Sequence, residues 1–150
     1  MDFAHGYLLI LAALAVYIAA ISLITTQVTY PLYASVPATA FVDYHRRYNR
    51  RITPVIVAPG FPAFLACAAF VFLRPDRVPL WLAALPTAGG VVALLATVTA
   101  AIPSHLTLQR HGFAPAPYRR LRTADAIRTA ASLTSAAALS AAVLLAFTPR

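Results

Sequence analysis

The chain has 150 residues, 61% of them hydrophobic and 11% charged, with a formal net charge of +8 and a mean hydropathy of +0.75. A soluble domain of this size carries about a quarter charged residues, so these side chains are too few to cover a water-facing surface. Composition therefore excludes an ordinary soluble enzyme, and the length predicts one domain over residues 1–150.

All 12 basic residues are arginine and all 4 acidic residues are aspartate, a bias that resembles GC-rich bacterial coding. The arginines stand in short groups between apolar runs and not on one stripe. That argues against a nucleic-acid partner and for anionic lipid headgroups. The single Cys67 lies inside an apolar run; it allows no internal disulfide and reads as a small core hydrophobe.

About twenty apolar residues cross a bilayer core as a helix. Four stretches qualify: Ala4 to Tyr30, Pro54 to Leu73, Pro79 to Pro103 and Thr123 to Phe147. The N-terminal one lacks the basic start of a signal peptide and is too long for its apolar region, so it reads as the first span. Its end carries Ser22, Thr25, Thr26 and Thr29 on one stripe, then Tyr30 and Tyr33, for which an aromatic belt is the plainer reading.

The connection to the second span reads "VPATAFVDYHRRYNRRIT". Wound at about 100° per residue, it puts Asp43, Arg46, Arg47, Arg50 and Arg51 on one arc. Phe41, Tyr44, His45, Tyr48, Asn49 and Ile52 fall on the other. This predicts a short amphipathic helix at the membrane interface, arginines toward phosphates and His45 with Asn49 toward the bundle or neighbouring loops. The second span then begins at Pro54, Pro59, Gly60 and Pro62, an interruption tolerated at depth where protein or a cavity satisfies the backbone.

The third span contains Pro86, Gly89 and Gly90, read as loosening or packing devices. Thr97, Ala101 and His105 share one side of it if the helix runs a turn past Pro103. His111 is a weaker candidate, and His5, at the other end, is incidental. The fourth span opens "TADAIRTAASLTS", where Asp125 and Arg128 are spaced to pair and Ser132 and Ser135 continue the stripe. Intramembrane charges face a bundle interior or cavity, so His45, His105, Asp125 and Arg128 converge at one end. Counted over the connections, eight arginines face one side and Arg74, Arg77 and Arg150 the other. The positive-inside rule then places both termini outside.

There is no metal-binding histidine pair at helical spacing, phosphate loop or nucleophile elbow. Two histidines without a third ligand leave a metal or haem open, and the sequence calls for no cofactor. A tuned His or Asp suffices for acid/base chemistry, and an Arg holds an enolate, phenolate or carboxylate.

The segments "QVTYPLY", "FVDYHRRYNRRIT", "IPSHLTLQRHGF" and "RTADAIRT" resemble a group of small bacterial four-span membrane proteins, over Gln27 to Thr129. Tyr30, Pro31, His45, Pro103, His105, Arg128 and Thr129 match its recurring residues. The group has Asn-Trp where Asp125 and Ala126 stand, and a Trp at Ser132, so the pocket wall differs here. The architecture is more loosely similar to anthrone-oxygenase-like membrane proteins, which implies a lipophilic, polyketide-like substrate.

The sequence thus predicts an all-α integral membrane four-helix bundle in the bacterial cytoplasmic membrane. The expected function is acid/base chemistry on a lipophilic polyketide or isoprenoid by an oxygenase, isomerase or cyclase. His45 and His105 would act as acid and base, Arg128 as anion holder and Asp125 as its orienter. Tyr30, Tyr48, Asn49, Thr97 and Ser132 would line the substrate site. Lipids, the substrate and a second copy in a homo-oligomer are the expected partners. The competing expectation is a non-enzymatic membrane subunit, binder or transporter component.

Overall fold

The computed structural model describes residues 2–148. Four helices are long and apolar enough to cross a membrane: α1 (Phe3–Tyr33), α2 (Ala38–Leu73), α3 (Leu80–His111) and α4 (Pro115–Phe147). No strand occurs among the described residues. At 1.5 Å per residue, helices of 31 to 36 residues exceed the roughly 30 Å of a bilayer core. Their excess length carries Arg46, Arg47, Arg50, Arg51, Arg110, Arg119, Arg120 and Arg122, all at one end of the bundle.

Short connections make consecutive helices antiparallel. α4 packs along α1 and α3, α3 along α2, and α2 returns to α1, closing the ring. Gly112, with φ of 84°, ends α3 in a conformation that disfavours a side chain. At the opposite end Asp2 caps α1, accepting from the His5 backbone N–H at 3.0 Å and facing the His5 ring at 2.7 Å. The backbone N–H first, and then the ring, hold the Asp2 carboxyl below its ordinary value.

The second connection and second span differ from the sequence expectation. Ala38–Ile52 is helical, yet it runs unbroken into the apolar part of α2 through Thr53–Val57, a π-helical turn. Pro54 and Pro59 do not interrupt the helix because they lie in and just beyond the widened turn, whereas Pro62 stands inside the α-helix that follows. Thr25–Thr29 in α1 and Thr97–Ala101 in α3 are π turns as well.

All three follow one pattern, Thr-x5-Pro: "TTQVTYP", "TPVIVAP" and "TVTAAIP". In each, the residue before the last proline gives its N–H to the threonine carbonyl five back: Tyr30 to Thr25, Ala58 to Thr53, Ile102 to Thr97. The extra residue moves the carbonyl that would clash with the proline ring. Each threonine hydroxyl also donates to the carbonyl four residues back, at 2.9, 2.7 and 2.7 Å.

The core has two parts. Leu8, Leu11, Phe70, Leu82 and Leu139 fill the arginine-poor half. Tyr30, Tyr33, Phe41, Leu108 and Leu121 fill the arginine-rich end. Gly89 and Gly90 are packing devices: a Cβ at Gly90 would stand 2.5 Å from the Phe64 carbonyl oxygen and 2.6 Å from the Ala68 nitrogen, and one at Gly89 would strike Ser135 Oγ.

Candidate functional site

Between the two core parts lies a cavity of about 250 Å³, at the level where three helices carry their π turns. Thr25, Thr53 and Thr97, the first residues of those turns, all line it. A π turn inserts one residue and so rotates the helix that follows it relative to the helix before; Tyr30 and His105 each follow such a turn and meet at the border of the cavity. Most of the lining surface is apolar, and polar side chains from all four helices border it.

Tyr30, Tyr48, Asn49, Thr97, His105, Asp125 and Arg128 all border the cavity. His45 does not. It is fully buried behind His105, with its Nε2 3.1 Å from His105 Nδ1. His105 Nε2 in turn lies 3.0 Å from the Tyr30 hydroxyl. On the far side of His45, its Nδ1 is 3.3 Å from Asn49 Nδ2, which donates to Gln109 Oε1 at 3.0 Å. Five side chains from α1, α2 and α3 thus form one hydrogen-bonded chain. Phe41 stacks on the His45 ring at 5.5 Å and Tyr33 meets it edge-on at 5.4 Å.

The second polar group centres on Asp125, 1% exposed. Its Oδ1 accepts from the Arg128 guanidinium at 3.0 Å and its Oδ2 from the Thr26 hydroxyl at 2.6 Å. Thr26 has one proton and spends it on Asp125, so in the 2.7 Å contact between Thr26 and Thr129 the Thr129 hydroxyl donates. The carboxylate is held from α1 and α4 together. Arg128 is thereby neutralised at the border of the cavity. Tyr118 Oη donates to the Tyr30 carbonyl at 3.0 Å, fixing the end of α1 against α4.

Ser132 departs from the sequence expectation. It lies outside the main cavity, in a void of about 10 Å³ that it shares with Ser135, Cys67, Gly89 and Gly90. Ile18 and Phe64 line both spaces and stand between them. The Ser132 hydroxyl is buried there without a partner.

Gln109 and Tyr118, outside the residues expected from the sequence, join the site together with Thr26 of the first span's polar stripe and Thr129 of the resemblance. A signal for Gln109 was present. "HRRYN" and "HLTLQ" both place an amide four residues after a histidine, one helical turn on, so each helix presents its ring and its amide on one face. Among the described residues, no three His, Cys, Asp or Glu come together as metal ligands would. No family model, curated protein or solved structure matches the chain.

The exposed residues that line the cavity lie on α2 and α3: Thr53, Val57 and Phe61 on the first, Ile102 and Leu106 on the second. All but Thr53 are hydrocarbon side chains.

Proposed function

We propose that this chain is a small enzyme of the bacterial cytoplasmic membrane that performs acid/base chemistry on a lipophilic small molecule of polyketide or isoprenoid type. One observation carries this reading. A mainly apolar cavity, whose exposed lining residues lie on α2 and α3, is bordered by Tyr30, His105 and an Asp125-neutralised Arg128. Such a lining admits a molecule dissolved in the bilayer. Arg128 stabilises an oxyanion, and Tyr30 with His105 moves the proton. Proton removal is the first step of an isomerisation or of oxygenation by dioxygen, and proton delivery starts a cyclisation.

The arginine-rich end of the bundle belongs at the cytoplasmic surface in this reading, with both termini outside. The Arg-bearing arc of Ala38–Ile52 lies along the phosphates; Arg150, part of the outer count, lies outside the described residues. A transporter reading is less well supported, because below Ile18 and Phe64 the bundle is filled by Leu8, Leu11, Phe70, Leu82 and Leu139. The resemblance to small four-span bacterial membrane proteins and, loosely, to anthrone-oxygenase-like proteins agrees with a lipophilic substrate.

Native mass spectrometry of protein released from its own membrane tests the reading. The wild-type chain should retain a lipophilic small molecule that His105→Gln and Arg128→Gln release. Retention of ordinary phospholipid alone, equal in all three, would overturn it.

A further inference from the structure

The hydrogen-bonded chain behind the cavity obeys a strict proton count. One proton fits between His45 Nε2 and His105 Nδ1, and each neutral ring has one N–H to place. With the Asn49 nitrogen on His45 Nδ1 and Gln109 Oε1, His45 donates from Nε2 to His105. His105 then donates from Nε2 to Tyr30, and the Tyr30 proton is free to face the cavity. Turning both amides over puts the Asn49 oxygen on His45 and the Gln109 nitrogen on Asn49. Every bond survives with its direction reversed. Tyr30 now donates to His105 and shows the cavity only lone pairs.

The two polarities read the two forms of one ligand oxygen: a carbonyl or oxyanion that accepts, and a hydroxyl that donates. We infer that the ligand is a lipophilic enol or phenol and that His45 is a positioning residue, the store for the proton its hydroxyl gives up. This rests on the acid/base reading above and adds where the proton goes.

From the second polarity the transfer balances without any other reactant. The ligand O–H breaks as a new Tyr30 O–H forms, and the old Tyr30 proton passes to His105 Nε2. The His105 Nδ1 proton passes to His45 Nε2, leaving the ligand an oxyanion beside Arg128 and His45 an imidazolium. The His45 Nδ1–H stays on the Asn49 oxygen.

Two features favour His45 over His105 as the resting place. A proton kept on His105 shares the cavity wall with the Arg128 guanidinium, whereas on His45 it lies one ring further away. Around His45 stand Phe41 and Asn49 from its own helix, Tyr33 from α1 and His105 from α3. None of these carries a resting charge, and the stacked Phe41 ring suits a cation.

Nitrogen-15 spectra of the histidine rings in lipid nanodiscs test the coupling without a ligand. At a pH where His45 is neutral, Asn49→Asp offers it only acceptor oxygens, so both rings carry their proton on Nδ1. Gln109→Glu accepts only from Asn49, so both rings carry it on Nε2. Neither substituted side chain hydrogen-bonds His105, yet its tautomer should differ between the two variants. The same His105 spectrum in both would overturn the chain.

The store is read with 4-nitrophenol, whose phenolate is coloured. Wild-type protein should bind it and ionise it at a proton concentration about tenfold higher than solution requires. His45→Gln keeps hydrogen bonds on both sides but holds no extra proton; it should bind the probe and lose most of that shift. Unchanged ionisation in His45→Gln overturns the store alone. No bound phenolate in the wild type overturns the acid/base reading and the store with it.

Discussion

His45 and His105 meet nitrogen to nitrogen at 3.1 Å, and only His105 reaches the cavity. The two rings come from α2 and α3, whose arginine-rich ends are pinned by the same amide pair, Asn49 with Gln109. Two histidines equivalent in sequence spacing therefore hold unequal positions. Substituting one exposes a cavity to a lost acid or base; substituting the other changes what stands behind it.

His105→Ala removes the ring that touches both Tyr30 and His45. The space opens onto the cavity, where water can meet the two groups left behind, so the loss of stability should stay near about 1 kcal/mol. Protein yield and the detergent melting curve should be close to wild type, while 4-nitrophenol ionisation falls by at least about tenfold. A variant that ionises the probe normally would make His105 a structural residue of α3.

Asp125→Ala should behave differently, because it leaves the Arg128 guanidinium buried without its counter-charge and Thr26 without its acceptor. Breaking a buried pair by one partner costs about 3–5 kcal/mol. Yield and melting temperature should both drop, as they should for Arg128→Ala, which strands the carboxylate. Asp125→Ala combined with Arg128→Leu should be less destabilised than the sum of the two single changes. Strict additivity in melting curves would show that the pair is not coupled.

The apolar runs made four membrane-length helices legible, since nothing but a membrane or a much larger core covers about twenty such residues. Their ends were less legible. Pro54 and Pro59 read as an interruption and Pro103 as the end of a span, but each lies in or just beyond a π turn that keeps the helix going. The Thr-x5-Pro spacing was present three times as a signal. The pairing of Asp125 with Arg128, and the turning of His45 and Asn49 away from the arginines, followed from helical spacing within one segment. Ser132 lay on the same stripe as Asp125, and periodicity on α4 gave no reason to separate them. Ile18 of α1 and Phe64 of α2 do so, and one helix's sequence does not contain its neighbours' side chains.

Two glycines that face the bundle interior should respond oppositely to alanine. A Cβ at Gly60 meets only Ile18 Cδ1, at 3.7 Å, an ordinary contact. A Cβ at Gly90 meets backbone atoms of α2 at 2.5 and 2.6 Å, and backbone cannot rotate away as a side-chain tip can. Gly60→Ala should leave the melting temperature within error. Gly90→Ala should force α2 and α3 apart at about 1–3 kcal/mol. Equal melting curves for the two variants would contradict the close approach at Gly90.

Removing one residue from a π turn tests whether these turns build the site. Val98 is exposed and lies inside Thr97–Ala101, so its deletion discards no core side chain. Without it the turn closes to an ordinary α-helical one, and everything after it rotates by about 100° about the α3 axis. The helix should survive with a kink at Pro103, as the same spans already hold Pro62 and Pro86 inside α-helix, so the far-ultraviolet circular dichroism should stay near wild type. His105 would leave Tyr30 and His45, and Gln109 would leave Asn49. The ring-nitrogen signals that report the His45–His105 contact should vanish, and 4-nitrophenol binding with them. If both persisted, the π turn in α3 would be incidental to the site, and Pro103 alone would account for its position.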